Sequence, residues 1–209
     1  MNKSGYYYPN RLVLTTFNAL KYVMGRNGLN VILNIAHLRE RIYHAPADDL
    51  EKGFDFADFT AIQIAIEEMY GEQAGRSLIK RAGRTVFSKS LCKYGALAGV
   101  SNVAFRALPL QTKLRIGIQA MARIFSHISD QTTTVEETDT YYRYIVHRCP
   151  DCWSRAGMET PICSFGKGLL EEGLNWISGG SEFSVNETKC LAMGDDVCEY
   201  YIEKVPIDN

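Results

Sequence analysis

The apolar positions of this chain repeat first at helical spacing and later at strand spacing. Between Arg11 and Gly25, the residues Leu12, Val13, Phe17, Leu20, Val23 and Met24 recur as on one helix, and Gly25 with the Asn27-Gly28 pair ends or turns it. A second helical pattern runs from Leu29 to Tyr43 through Val31, Ile32, Ile35, Leu38 and Ile42, stopping before Pro46. Asp55 or Asp58 is placed to cap a helix over Phe59–Tyr70, whose stripe is Ile62, Ile66 and Met69. Another helix follows from Gly71 to Lys89, and its small residues Gly71, Gly75 and Gly83 would admit a close neighbour. Leu91–Leu108 is apolar and ambiguous between helix and loop. Pro109 opens a further helix that Leu114, Ile118, Met121, Ile124, Phe125 and Ile128 carry to Ser129.

At residue 132 the pattern changes. Thr132–Glu137 and Tyr141–His147 are rich in β-branched and aromatic residues and read as a hairpin. Cys163–Ile177 reads as a helix ended by Gly179-Gly180, and Ser181–Lys189 with Val197–Val205 as a closing pair of strands. Gly194, in their connection, is expected to take a positive φ, so that alanine there would loosen the hairpin. The order predicts an α+β fold: one antiparallel four-stranded sheet, β-β-α-β-β, covered by helices and preceded by N-terminal helices. Residues 1–50 read as a helical extension and possible dimer contact, giving an expected homodimer, and residues 51–209 as a single compact unit.

Composition narrows the class. A chain of 209 residues with 46% hydrophobic and 22% charged residues has material for a well-cored domain and is not of disordered type. A net charge of −1 gives no electrostatic case for nucleic acid or an anionic membrane, so no direct nucleic-acid binding is expected. Twelve Tyr and nine Phe imply either a wide core or an aromatic-lined cavity. No run approaches a membrane span and the start lacks an apolar stretch, so a cytoplasmic location is expected. There, six cysteines read as metal ligands, buried residues or reactive thiols before they read as disulfides.

Five of those cysteines lie after residue 148. Cys190 and Cys198 flank the closing hairpin, Glu187 precedes them, and Cys163 opens the helix before it. Three thiolates and one carboxylate would fill a tetrahedral zinc shell with no open position, which is a structural site; the other reading is cysteines buried as small apolar residues. Period-two alternation puts Glu187 and Cys190 on opposite faces, so the site requires a bulge or a strand end between them. Cys149-Pro-Asp-Cys152 offers alternative ligands, turn residues or a redox pair. His37, His44, His127 and His147 pair with no carboxylate or nucleophile at a diagnostic spacing, and His147 reads as an ordinary strand histidine. Gly71-Glu-Gln-Ala-Gly75 lies between helical patterns and not after a strand, so it is not a phosphate loop. Lys80-Arg81 with Arg84 reads as a solvated helix face. With no nucleophile–base pair, no catalytic residue is assigned.

Cys149-Pro, Cys163-x-x-Gly166-x-Gly168, Glu187-x-x-Cys190, Gly194-Asp195-x-x-Cys198 and the nearby Tyr-Tyr-Ile together resemble the vinyl reductase (4VR) domain family. Tyr70-Gly-Glu-Gln-Ala-Gly and Arg81-Ala-Gly-Arg are similar to the helical half of that family, and the resemblance spans residues 55 to 205. It implies a helix-covered antiparallel sheet shared with TRAPP Golgi-transport subunits and with phenol-sensing domains of bacterial activators. Those sensors hold zinc with a Cys, a Glu and a closing Cys pair, matching Cys163, Glu187, Cys190 and Cys198, and bind a small aromatic effector in a hydrophobic pocket. Cys152 departs from that set. The expectation is therefore a zinc-stabilised binding domain for a hydrophobic or aromatic small molecule, acting as sensor or carrier, with zinc as cofactor. The alternatives are a reductase or carrier for tetrapyrrole vinyl groups, which lacks a nucleotide fingerprint, and a scaffold or tethering subunit with a closed pocket.

Overall fold

The computed structural model describes residues 2–89 and 103–207. Most of the ambiguous stretch from Leu91, with Gly95 and Gly99, lies outside them. The chain opens with β1 (Tyr7–Pro9), which pairs antiparallel with β2 (Lys52–Asp55), Tyr7 opposite Asp55. Neither strand shows in the hydrophobic pattern, because each is too short for a period to register. Pro9, at φ −68°, leads into α1 (Asn10–Ile35). Gly25 interrupts α1 with φ 76° and ψ 171°, the left-handed side that glycine tolerates, so the expected break is present. Asn27-Gly28 instead lies inside the second segment. That segment ends at Ile35, short of the expected Tyr43: His37 takes φ 58° and residues Arg39–Ile42 form a 3₁₀ turn.

Asp55, not Asp58, caps α2 (Phe56–Tyr70), accepting from the Ala57 amide at 2.8 Å, so the helix begins three residues earlier than its stripe suggested. The same carboxylate accepts from the Ser4 and Gly5 amides, which fastens the N-terminal segment to this helix start. Gly71, at φ 79°, separates α2 from α3 (Glu72–Lys89). A short α4 (Val103–Arg106) precedes α5 (Leu110–Ile128), whose buried stripe is Leu114, Ile118, Met121 and Phe125.

The remaining elements are β3 (Thr133–Glu137), β4 (Tyr141–Val146), α6 (Ser164–Ser178), β5 (Phe183–Lys189) and β6 (Cys198–Pro206). The sheet is antiparallel with strand order β3-β4-β6-β5, so the last strand lies in the interior. Its inward face carries Tyr142, Tyr144, Val146, Phe183, Val185, Tyr200 and Ile202. On the outward face Arg143 pairs with Glu199 and Glu136, and Tyr141 stacks on Tyr201 at 4.5 Å. Gly194 takes the expected positive φ, 95°; alanine there would cost about 1 kcal/mol of backbone strain.

Helices α3 and α6 cross with almost no space between their backbones. A Cβ on Gly168 would stand 2.1 Å from the Lys80 carbonyl oxygen, and one on Gly83 2.3 Å from that of Phe165. Arg84 braces the crossing, with Nε 3.0 Å from Glu172 and Nη2 2.9 Å from Glu182. The basic run read as solvated is therefore partly an ion-pair clamp. One hydrophobic cluster extends from Leu12, Leu20, Ile32 and Leu33 of α1 to the sheet and the cysteines, so residues 1–50 and the rest of the chain share a core. Among the described residues, no helix is long and apolar enough to cross a membrane.

Candidate metal centre

Four backbone features bring the cysteines together. The loop after β4 carries Cys149 and Cys152 and is anchored by Thr60, whose hydroxyl donates to the Pro150 carbonyl at 2.6 Å. Cys163 stands at the N-terminal cap of α6; its amide donates to Glu187 Oε2 at 2.9 Å and its carbonyl accepts from the Tyr200 hydroxyl at 3.0 Å. Cys198 opens β6. Cys190 follows β5, and its amide donates to Asp195 Oδ2 at 2.8 Å, which fixes the turn through Gly194.

The β5–β6 register explains how Glu187 and Cys190 reach one face. Glu187 sits opposite Tyr200, but Lys189 sits opposite Glu199, so one extra residue is inserted between them. That bulge reverses the alternation, and Cys190 comes to the inward side with Glu187. A shared site for these two residues requires such an irregularity, and the strand supplies it.

The resulting sulfur spacings are short. Cys149–Cys163 is 3.6 Å, Cys152–Cys198 3.5 Å, Cys163–Cys198 3.6 Å, Cys163–Cys190 3.7 Å and Cys190–Cys198 4.0 Å. A disulfide needs about 2.05 Å. Thiolates around one tetrahedral ion with bonds of about 2.3 Å stand about 3.8 Å apart. The donor atoms fall into two groups, Cys149, Cys152, Cys163 and Cys198, and Cys163, Glu187, Cys190 and Cys198, each mutually within 4.8 Å. The Leu191 amide donates to the Cys198 sulfur at 3.4 Å, a bond that favours a thiolate. Glu187 Oε1 is buried with no hydrogen-bond partner. Burial, then the neighbouring Cys190, pushes the Glu187 carboxyl up to about 9, and burial pushes the Cys163 thiol well up. A cation among these groups would oppose both shifts.

The structure thus brings Cys163, Glu187, Cys190 and Cys198 together and adds Cys149 and Cys152, the alternative ligands, to the same cluster. His147 is exposed and bonded to Thr134 at 2.8 Å. Asp151 was missed in the sequence. Its Oδ2 accepts from the Gly166 amide at 2.7 Å, capping the first turn of α6 from another loop, and burial raises its carboxyl to about 7. The polar residue between two cysteines was the available signal. Arg155, just beyond, donates to Glu67 of α2 at 2.7 Å across a buried contact.

The expected aromatic pocket has no counterpart here. The interior cavity beside the cluster, lined by Tyr8, Tyr144, Asp151 and Tyr200, measures about 20 Å³. That is room for about one water, whereas a benzene-sized guest occupies a cavity of roughly 150 Å³.

Residues 142–204 match the model of the vinyl reductase (4VR) domain, in agreement with the resemblance carried by the cysteine motif. No curated protein matches the sequence. Several solved structures match over nearly the whole chain. An H-NOX protein from S. oneidensis in the Fe(II)NO ligation state is 14% identical, covering 93% of this chain and 99% of that one, with TM-score 0.55. An H-NOX structure concerned with haem distortion is 14% identical, covering 95% and 96%, with TM-score 0.57. An oxygen-binding H-NOX domain related to soluble guanylate cyclases, in its oxygen complex, is 14% identical, covering 94% and 95%, with TM-score 0.54. At these identities the likeness is one of fold, and it extends through α1 and β1, beyond the part that the family model covers.

These neighbours overturn the functional expectation. The structures that share this fold are H-NOX proteins associated with haem, oxygen and nitric oxide. A zinc-stabilised domain for an aromatic molecule, its reductase and tethering alternatives, and zinc as the cofactor are corrected accordingly. The filled interior gives the physical reason for the aromatic part. For the cofactor, the cysteine cluster is compatible with a metal site and does not name the metal.

Proposed function

We propose that this chain is a metal-responsive sensor domain, in which thiolates of the Cys149–Cys198 region hold a thiophilic metal and couple its presence to the junction of α6 with the sheet. The supporting observation is the set of five buried sulfurs at tetrahedral spacing around the partnerless Glu187 Oε1. The elements that the ligands join are the loop after β4, the start of α6, the end of β5 and the start of β6. Binding or loss of metal would act on all four at once, and α6 would pass the change to α3 through the glycine crossing.

The haem of the H-NOX neighbours does not fit the described residues. His37, His44, His127 and His147 are all exposed. The cavity beside the sheet holds about one water, and a surface groove of about 480 Å³ along Phe105, Lys113 and Trp176 is lined by no histidine, cysteine or tyrosine. Five free thiols this close together also suit a reducing compartment.

The full chain, purified without chelator under reducing conditions, is expected to carry stoichiometric thiophilic metal by elemental analysis and to show no Soret band. Metal below a tenth of an equivalent would overturn the reading, and a stoichiometric Soret absorbance would replace it with a haem protein.

A further inference from the structure

The two donor groups are not separate sites: they share Cys163 and Cys198, whose sulfurs are 3.6 Å apart. We infer that the cluster is binuclear, with two divalent thiophilic ions bridged by the Cys163 and Cys198 thiolates. One ion would be completed by Cys149 and Cys152, the other by Cys190 and Glu187. This inference rests on the reading of the cluster as a metal centre and goes beyond it in stoichiometry and connectivity.

Three observations support it. A tetrahedral ion uses four donors, and the structure gathers six. A single ion would leave either Cys149 with Cys152, or Cys190 with Glu187, buried without a partner. The partnerless Glu187 Oε1 belongs only to the second group, while the Cys152–Cys198 pair, the shortest of the sulfur contacts given above, belongs only to the first. One ion satisfies one of these features; two satisfy both. Charge points the same way. Five thiolates and a carboxylate with two divalent ions carry the same residual charge as four thiolates with one, the balance of ordinary tetrathiolate sites. Two tetrahedra meeting along the Cys163–Cys198 edge need no movement of the backbone.

Native mass spectrometry of the full chain as purified, paired with elemental analysis, tests this. The expected result is two ions per chain. The Cys149→Ser/Cys152→Ser and Glu187→Gln/Cys190→Ser double variants should each keep one. Should these variants fail to fold, cadmium NMR of the cadmium-exchanged wild-type chain decides: two resonances are expected from the bridged pair. A single ion in the wild type, or a single cadmium resonance, overturns the binuclear arrangement while leaving the metal centre standing. No bound metal at all overturns both.

Discussion

Replacing Cys198 by serine is expected to abolish metal binding and to lower the melting temperature by about 10–20 °C. Cys198 belongs to both donor groups and opens the interior strand of the sheet, so its sulfur is shared by every arrangement the cluster permits. Serine is nearly isosteric, so packing around this fully buried position changes little and the loss reads mainly the metal. Structural thiolate sites contribute roughly 10–16 kcal/mol of apparent binding energy, against a net domain stability of about 5–15 kcal/mol. Losing about 5 kcal/mol from a chain of this size shifts the midpoint by the stated amount. Thermal unfolding followed by circular dichroism, with metal content measured on the same samples, checks it. Wild type treated with a strong chelator should melt with the variant. A Cys198→Ser protein that melts within a few degrees of wild type would show that the cluster does not hold the fold.

Gly168→Ala should be comparably damaging for a different reason. The new methyl would stand 2.1 Å from the Lys80 carbonyl oxygen and 2.9 Å from its carbon, so the obstacle is the α3 backbone and no rotamer can relieve it. Overpacking a tight contact costs about 1–3 kcal/mol when side chains can move; here about 3 kcal/mol or more is expected. Gly173→Ala is the control. Its methyl meets the flexible end of Met121, and about 1 kcal/mol should suffice. Chemical denaturation of the two variants compares them directly, and equal midpoints would mean that α3 and α6 are not clamped by their backbones.

The sheet was legible because its strands are long enough to alternate and because Gly179-Gly180 and Gly194 punctuate them. Strand order β3-β4-β6-β5 follows from the two predicted hairpins once their inner strands pair. The cysteine cluster was legible as a set of candidates, but not as six donors in one place. Nothing local says that the Cys149 loop folds back onto α6; Asp151 and Thr60 decide that through contacts far apart in sequence. The β1–β2 pairing was hidden for the same reason, with strands of three and four residues brought together across α1. The aromatic excess left open a wide core or a lined cavity. Tyr8, Phe54, Phe56, Phe59, Phe87, Phe165 and Tyr200 pack as core, and composition cannot distinguish the two because both bury the same side chains.

The strand order has a consequence for how the chain is made. β6 follows β3, β4 and β5 in synthesis yet lies between β4 and β5. Until it emerges, β4 and β5 each present an open edge rich in apolar and aromatic residues, a template for pairing with other chains. The nascent protein must keep a gap one strand wide and admit β6 into it, a non-local and therefore slow closure. Cys198 is the first residue of the arriving strand. Metal captured upstream would hold the Cys149 loop, α6 and the β5 terminus around the gap, so metal supply during translation would govern yield of soluble chain as much as stability of the finished one.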